Sequence, residues 1–174
     1  MARTFTLFSA LLLAVSLIVG CVGEPRPAGM PRLYPVSITV TQEGEPLEGA
    51  LLQLFAEDSA NARWGPSGVS NSSGVATLFT EGKYKGVPLG EFKVVVTKSE
   101  REPHPHPEWA DLPYGDPNFQ RYGAISRGLK TFNYVELQYG SVADTPLSID
   151  ITAGKKTYTI DVGKQSKTEV RANQ

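Results

Sequence analysis

Cysteine is nearly absent. Cys21 is the only one in 174 residues, so no disulfide can form within the chain, and whatever folds must be held by burial of apolar surface. An excess of one charge is lacking too. Seventeen Lys and Arg stand against eighteen Asp and Glu, leaving no basic surplus to neutralise a phosphate backbone, so nucleic acid is disfavoured as a partner. Histidine is scarce, with His104 and His106 the only two. No H-E-x-x-H zinc motif, G-x-S-x-G nucleophile elbow or phosphate-binding glycine loop occurs. Acidic pairs such as Glu100 and Glu102, or Glu108 and Asp111, read as solubilising charges. The sequence assigns no catalytic residue, no metal site and no cofactor, and the chain reads as a non-enzyme.

What is present begins with an apolar run. Arg3 precedes "FTLFSALLLAVSLIVG", which carries no charge and ends at Cys21. This is a signal-peptide profile. Its last residues, Ile18, Val19 and Gly20 before Cys21, resemble the bacterial lipobox. The resemblance implies a diacylglycerol thioether on the Cys21 sulfur, cleavage between Gly20 and Cys21, and acylation of the new amino terminus. Two or more acyl chains hold a protein on a bilayer, where one does so only marginally. An uncleaved membrane helix competes, but the run is short of the roughly 20 residues a span prefers, and Thr6, Ser9 and Ser16 interrupt it. The expected location is outside the cytoplasm, anchored by lipid to a bacterial membrane and facing the periplasm or cell surface. Val22 after the anchor points to the outer membrane if enterobacterial sorting rules hold.

Residues 21–35 hold Pro25, Pro27, Pro31 and Pro35 with Gly23 and Gly29, and read as an extended tether. Period two then takes over. "VSITV", "ALLQLF", "EFKVVVTK", "PLSIDIT" and "TYTIDV" alternate side chains between two faces, with both faces of "ALLQLF" apolar. The last two, joined by "AGKK", suggest a hairpin, and another hairpin is expected around a turn at Asn71 to Gly74. Short strands without a sustained helical period predict an all-β fold over residues 36–163: an antiparallel β-sandwich of about seven strands, transthyretin-like or immunoglobulin-like. Residues 164–174 read as a polar tail.

Four segments, "VTQEGEPLEGALLQLF", "GVSNSSGVATLFT", "GVPLGEFKVVVTK" and "TPLSIDITAGKKTYTIDV", resemble the transthyretin-like, carboxypeptidase-regulatory-like β-sandwich of many bacterial lipoproteins. The resemblance covers residues 36–98 and 134–163. It implies turn roles for Gly44, Gly49, Gly74 and Gly90, and a non-catalytic interaction or structural module. Asn71 stands where the family usually has Asp, which keeps a side-chain to backbone hydrogen bond but argues against calcium. The fold also includes 5-hydroxyisourate hydrolases, which carry an N-terminal-strand His and a terminal Tyr-Arg-Gly-Ser. This chain has no His before residue 104 and ends "VRANQ".

Between the matching blocks lies an insertion, residues 99–133. Pro103, Pro105, Pro107, Pro113 and Pro117 stop regular structure in its first half, and "DPNFQRYGAISRGLK" predicts a short helix capped by Asp116 with Pro117 in its first turn. His104 and His106 share the spacing of the iron-binding pair in intradiol dioxygenases, which adds two Tyr. Their flanking prolines forbid a central strand, so a solvated loop is the simpler account. Trp64, Trp109, Tyr114 and Tyr122, if exposed, would offer stacking faces for a glycan or small ligand. The competing reading packs Trp109, Tyr114, Phe119, Tyr122, Phe132 and Tyr134 as a satellite cluster under loops. The expected partners are the membrane, through the lipid, and an unidentified envelope protein or glycan.

Overall fold

A computed structural model describes residues 26–170; the apolar run read as a signal segment, with Gly20 and Cys21, lies outside the described residues. The chain divides into Met1–Met30 and Pro31–Gln174. In the first unit, residues 26–29 are exposed and the Met30 amide closes a turn on the Pro27 carbonyl (3.1 Å). The tether is shorter than its composition suggests. Leu33 is buried, and Tyr34 exchanges both backbone hydrogen bonds with Val87 (2.9 Å each). Residues 31–35 therefore belong to the second unit.

That unit is mostly β. Its segments are β1 (Ser37–Gln42), β2 (Glu45–Pro46), β3 (Leu51–Ala56), β4 (Pro66–Val69), β5 (Val75–Thr77), β6 (Phe79–Thr80), β7 (Tyr84–Lys85), β8 (Gly90–Thr97), β9 (Ser99–Arg101), β10 (Thr131–Asn133), β11 (Ser148–Ile151), β12 (Thr157–Asp161) and β13 (Thr168–Val170). One helix, α1 (Pro117–Gly128), lies between β9 and β10. In the first sheet β12 pairs with one edge of β1, and β2 and β5 share the other. The second runs β11-β8-β3-β4-β6-β7, and the third β13-β10-β9.

Alternation explains the core. In β1 Ile38 and Val40 turn inward, in β3 Leu52 and Leu54, in β8 Phe92, Val94 and Val96, and in β12 Tyr158 and Ile160. All join one buried cluster, so the first and second sheets share a single core. Each fully buried Val, Leu, Ile or Phe contributes about 1.5 to 3 kcal/mol of transfer free energy. Val135 and Tyr139, in the segment after β10, complete the cluster.

Local chemistry sets the turns. Glu43 and Gly44 both take positive φ (55° and 84°), as a tight two-residue link between β1 and β2 requires. Asn71 Oδ1 accepts from the amides of Ser73 and Val75 (3.0 Å each), which fixes the turn ending at Gly74. Gly74 is required there twice over. Its φ is 73°, and a Cβ would sit 2.6 Å from the Val40 carbonyl oxygen.

Some expectations fail, and other features were not foreseen. β11 and β12 do not form a hairpin: β11 pairs antiparallel with β8, and β12 pairs parallel with β1 in the other sheet. The link between them crosses from sheet to sheet, because Ile151 and Tyr158 both reach the shared core, one from each layer. The outer face of β3 is not covered, and leaves Leu51 and Phe55 38% and 40% exposed. The polar tail includes a strand, since Thr168–Val170 pairs with β10. The margins of the insertion, β9 and β10, pair with each other.

Candidate functional site

The insertion rises from that three-stranded base. The Glu102 amide donates to the Lys130 carbonyl (2.8 Å), and the Lys130 amide returns a bond to Glu102 Oε2 (3.0 Å), closing its neck. Lys130 Nζ also meets Glu169 Oε2 at 2.9 Å, and this hydrogen bond and charge raise the ammonium above its ordinary pKa. Inside the neck the prolines leave one 3-10 turn, Pro107–Trp109.

Helix α1 starts where its sequence predicts. Asp116 is extended (φ −71°, ψ 135°), its carboxylate accepts from the Asn118 amide at 2.7 Å, and Pro117 opens the first turn. At the other end the Arg101 guanidinium donates to the Ser126 carbonyl, one of the acceptors a helix terminus leaves over. Neither α1 nor the 3-10 turn buries a residue.

The histidines are not freely solvated as the sequence suggested. Both are half-shielded and tied to the rest of the insertion. His104 lies against the Tyr122 ring (centroids 4.1 Å, 32° between planes), with Nε2 3.3 Å from the Tyr122 carbonyl oxygen. Its Nδ1 accepts from the His106 amide at 3.0 Å. His106 stacks on Trp109 (4.0 Å, 10°) and places Nδ1 3.2 Å from Glu108 Oε1. With both ring nitrogens committed to backbone groups, His104 has no lone pair to give a metal. Among the described residues no three His, Cys, Asp or Glu side chains gather to hold one.

The aromatic residues singled out from the sequence do not form one platform. Trp64 is 4% exposed in the loop after β3, with the Arg63 guanidinium 4.2 Å from its ring. Trp109 has one face against His106, and Tyr122 packs on His104. Tyr114 is 84% exposed and meets Phe119 edge to face, with centroids 5.5 Å apart. Phe132 in β10 and Tyr134 just after that strand sit beneath the Lys167 ammonium. Among the described residues no ring contact joins Trp64 to the insertion. The depression beside Phe119 is lined by α1 alone, through residues such as Gln120, Arg121 and Arg127, so nothing faces a ligand from across it.

One cluster escaped the sequence reading. On the outer face of the second sheet Asp150 lies opposite Glu91, and the Glu57 amide bonds the Glu91 carbonyl at 3.1 Å. Three carboxylate residues thus line a shallow recess with Ser148 and Ile149. Only the register of β3, β8 and β11 brings them together; no spacing within the sequence does. At the far edge of the first sheet the Thr41 hydroxyl, 2.7 Å from Asp161 Oδ2, holds that carboxyl below its ordinary pKa against the opposing effect of desolvation, helped by the Gly163 and Gly44 amides.

No family model, curated protein or solved structure matches the chain. Among the described residues no helix is long and apolar enough to cross a membrane.

Proposed function

We propose that this is a lipid-anchored protein of a bacterial cell envelope, outer-membrane sorted, whose folded unit serves as a non-catalytic interaction or structural module. The observation that carries the reading is the apolar run ending in Ile18, Val19 and Gly20 before the lone Cys21. Attachment at Cys21 puts the membrane at one end of a short Pro-rich tether and the β unit at the other. The module is read as a sandwich of about seven strands of the transthyretin-like, carboxypeptidase-regulatory-like kind, antiparallel except where β12 runs parallel to β1, with the first and second sheets as its layers and the shortest segments as extensions. Supporting that assignment, Gly44, Gly49, Gly74 and Gly90 all take positive φ, as turn glycines should. Asn71 also makes the local bonds expected of its turn.

The anchor is tested by growing cells expressing the full chain with an alkyne-bearing fatty acid, then tagging the purified protein. The wild type takes up the label and Cys21→Ser takes up none. Equal labelling of both, or none in the wild type, overturns the anchor.

A further inference from the structure

We infer that His104 is an acid-released latch that holds α1 against the 103–109 loop while its imidazole is neutral. Three contacts meet on this one ring. Nε2–H donates to the Tyr122 carbonyl in mid-helix, Nδ1 accepts the His106 amide, and the ring lies on the Tyr122 side chain. The two hydrogen bonds define a tautomer, because an imidazole that accepts at one nitrogen must carry its proton on the other. Protonation puts a hydrogen on Nδ1 and turns the acceptor into a second donor, aimed at the His106 N–H. The bond becomes a repulsion.

The surroundings offer His104 no compensation for that charge. Tyr122 faces it from α1 with a ring and a carbonyl, and His106, 6.4 Å away between centroids, faces it from its own loop. The Arg101 guanidinium sits on the Ser126 carbonyl, farther along α1. Among the described residues the nearby carboxylate of Glu108 is spent on His106, and no carboxylate pairs with His104. His106 works in the opposite sense, because its partners are the Glu108 carboxylate and the face of Trp109, both of which welcome a cation. Acid therefore tightens the small His106–Glu108–Trp109 turn and frees the helix from it. With no buried side chain in either piece, there is no apolar core to hold them together once the latch opens. What acid uncovers is the Tyr122 ring and the loop-facing side of α1.

Hydrogen exchange on the full chain in detergent, at pH 7.5 and pH 5.0 and corrected for intrinsic rates, compares the latch in neutral and acid solution. Exchange across residues 103–130, the His106 amide included, should rise roughly fivefold at the lower pH, the shift expected from losing one ordinary hydrogen bond. Amides of β3 and β8 should not change. His104→Phe keeps the stack but removes the acceptor, so its insertion should exchange fast at both pH values. His106→Phe should retain the pH dependence. Unchanged wild-type exchange, a pH dependence that survives in His104→Phe, or one that vanishes in His106→Phe each overturns the latch. Should His104→Phe lose protection in the sheets as well, the wild type decides by NMR. The His106 amide must then shift with the His104 imidazole midpoint, and a shift that follows His106, or no shift, overturns the proposal.

Discussion

Phe92, Leu52 and Leu54 are sealed from water within the sheets, whereas farther along the chain, past β9, neither the Pro107–Trp109 turn nor α1 buries a single side chain. The two regions are continuous in sequence and opposite in what stabilises them. The sheets gain from transfer of apolar surface, which is non-directional and tolerates small displacements. The insertion relies on Asp116, Arg101, Glu102 and His104 reaching backbone groups, and on rings laid face to face. Contacts of that kind are worth about 1 kcal/mol each and depend on angle and protonation. The sheets are thus built to persist and the insertion to be adjustable.

Removing the largest fully buried side chain puts most stress on this contrast. Phe92→Ala should cost about 3 to 5 kcal/mol in chemical denaturation. Signals from the sheets and from Trp109 should then disappear in one transition, because the neck of the insertion is made of strands that the core supports. Two separated transitions would show that the insertion folds without the sheets. A smaller effect is expected from Asp116→Ala, which removes the helix cap and should cost about 1 kcal/mol locally. Exchange of α1 amides would rise while the denaturation midpoint stays put. A fall in that midpoint comparable with that of Phe92→Ala would break the contrast outright.

The smallest effect belongs to the edge of the first sheet. Asp161 is held below its ordinary pKa by Thr41, so it adds stability above the unfolded carboxylate value near 3.9, and that stability is lost as pH falls through the lower folded value. Asp161→Asn should therefore flatten the acid side of a stability-against-pH curve and leave neutral stability only slightly reduced, because the carboxylate is solvent-exposed. An unchanged acid limb would show that the Thr41 contact carries no weight.

Much of the core was legible because alternation marks which side chains share a face, as Ile38 and Val40 or Leu52 and Leu54 do. The helix was legible too, since Asp-Pro followed by a proline-free stretch is cap chemistry written in consecutive residues. Partnership was not. Period two is the same whether a strand folds back on its neighbour or crosses to the other sheet, and so "SIDIT" and "TYTID" looked like a hairpin. Thr168–Val170 gave no signal, being short, polar and exposed on every residue. The insertion could be placed but not described, since its Pro-flanked histidines find partners, Tyr122 and Trp109, through loop geometry that no local pattern encodes. The carboxylate row of Glu57, Glu91 and Asp150 needs three strands in register before it exists at all.

The parallel pairing of β1 with β12 also orders events in time. Ser37 finds its neighbour in Thr157, and Thr41 bonds a side chain 120 positions downstream. A chain emerging amino terminus first carries β1 unpaired along that edge until Thr157 and the residues after it have followed. Such long-range closure is slow. That edge of the first sheet therefore closes late, whereas the other edge of β1, facing β2 and β5, and the pairings among β3, β4 and β8 draw on residues already made by the end of β8.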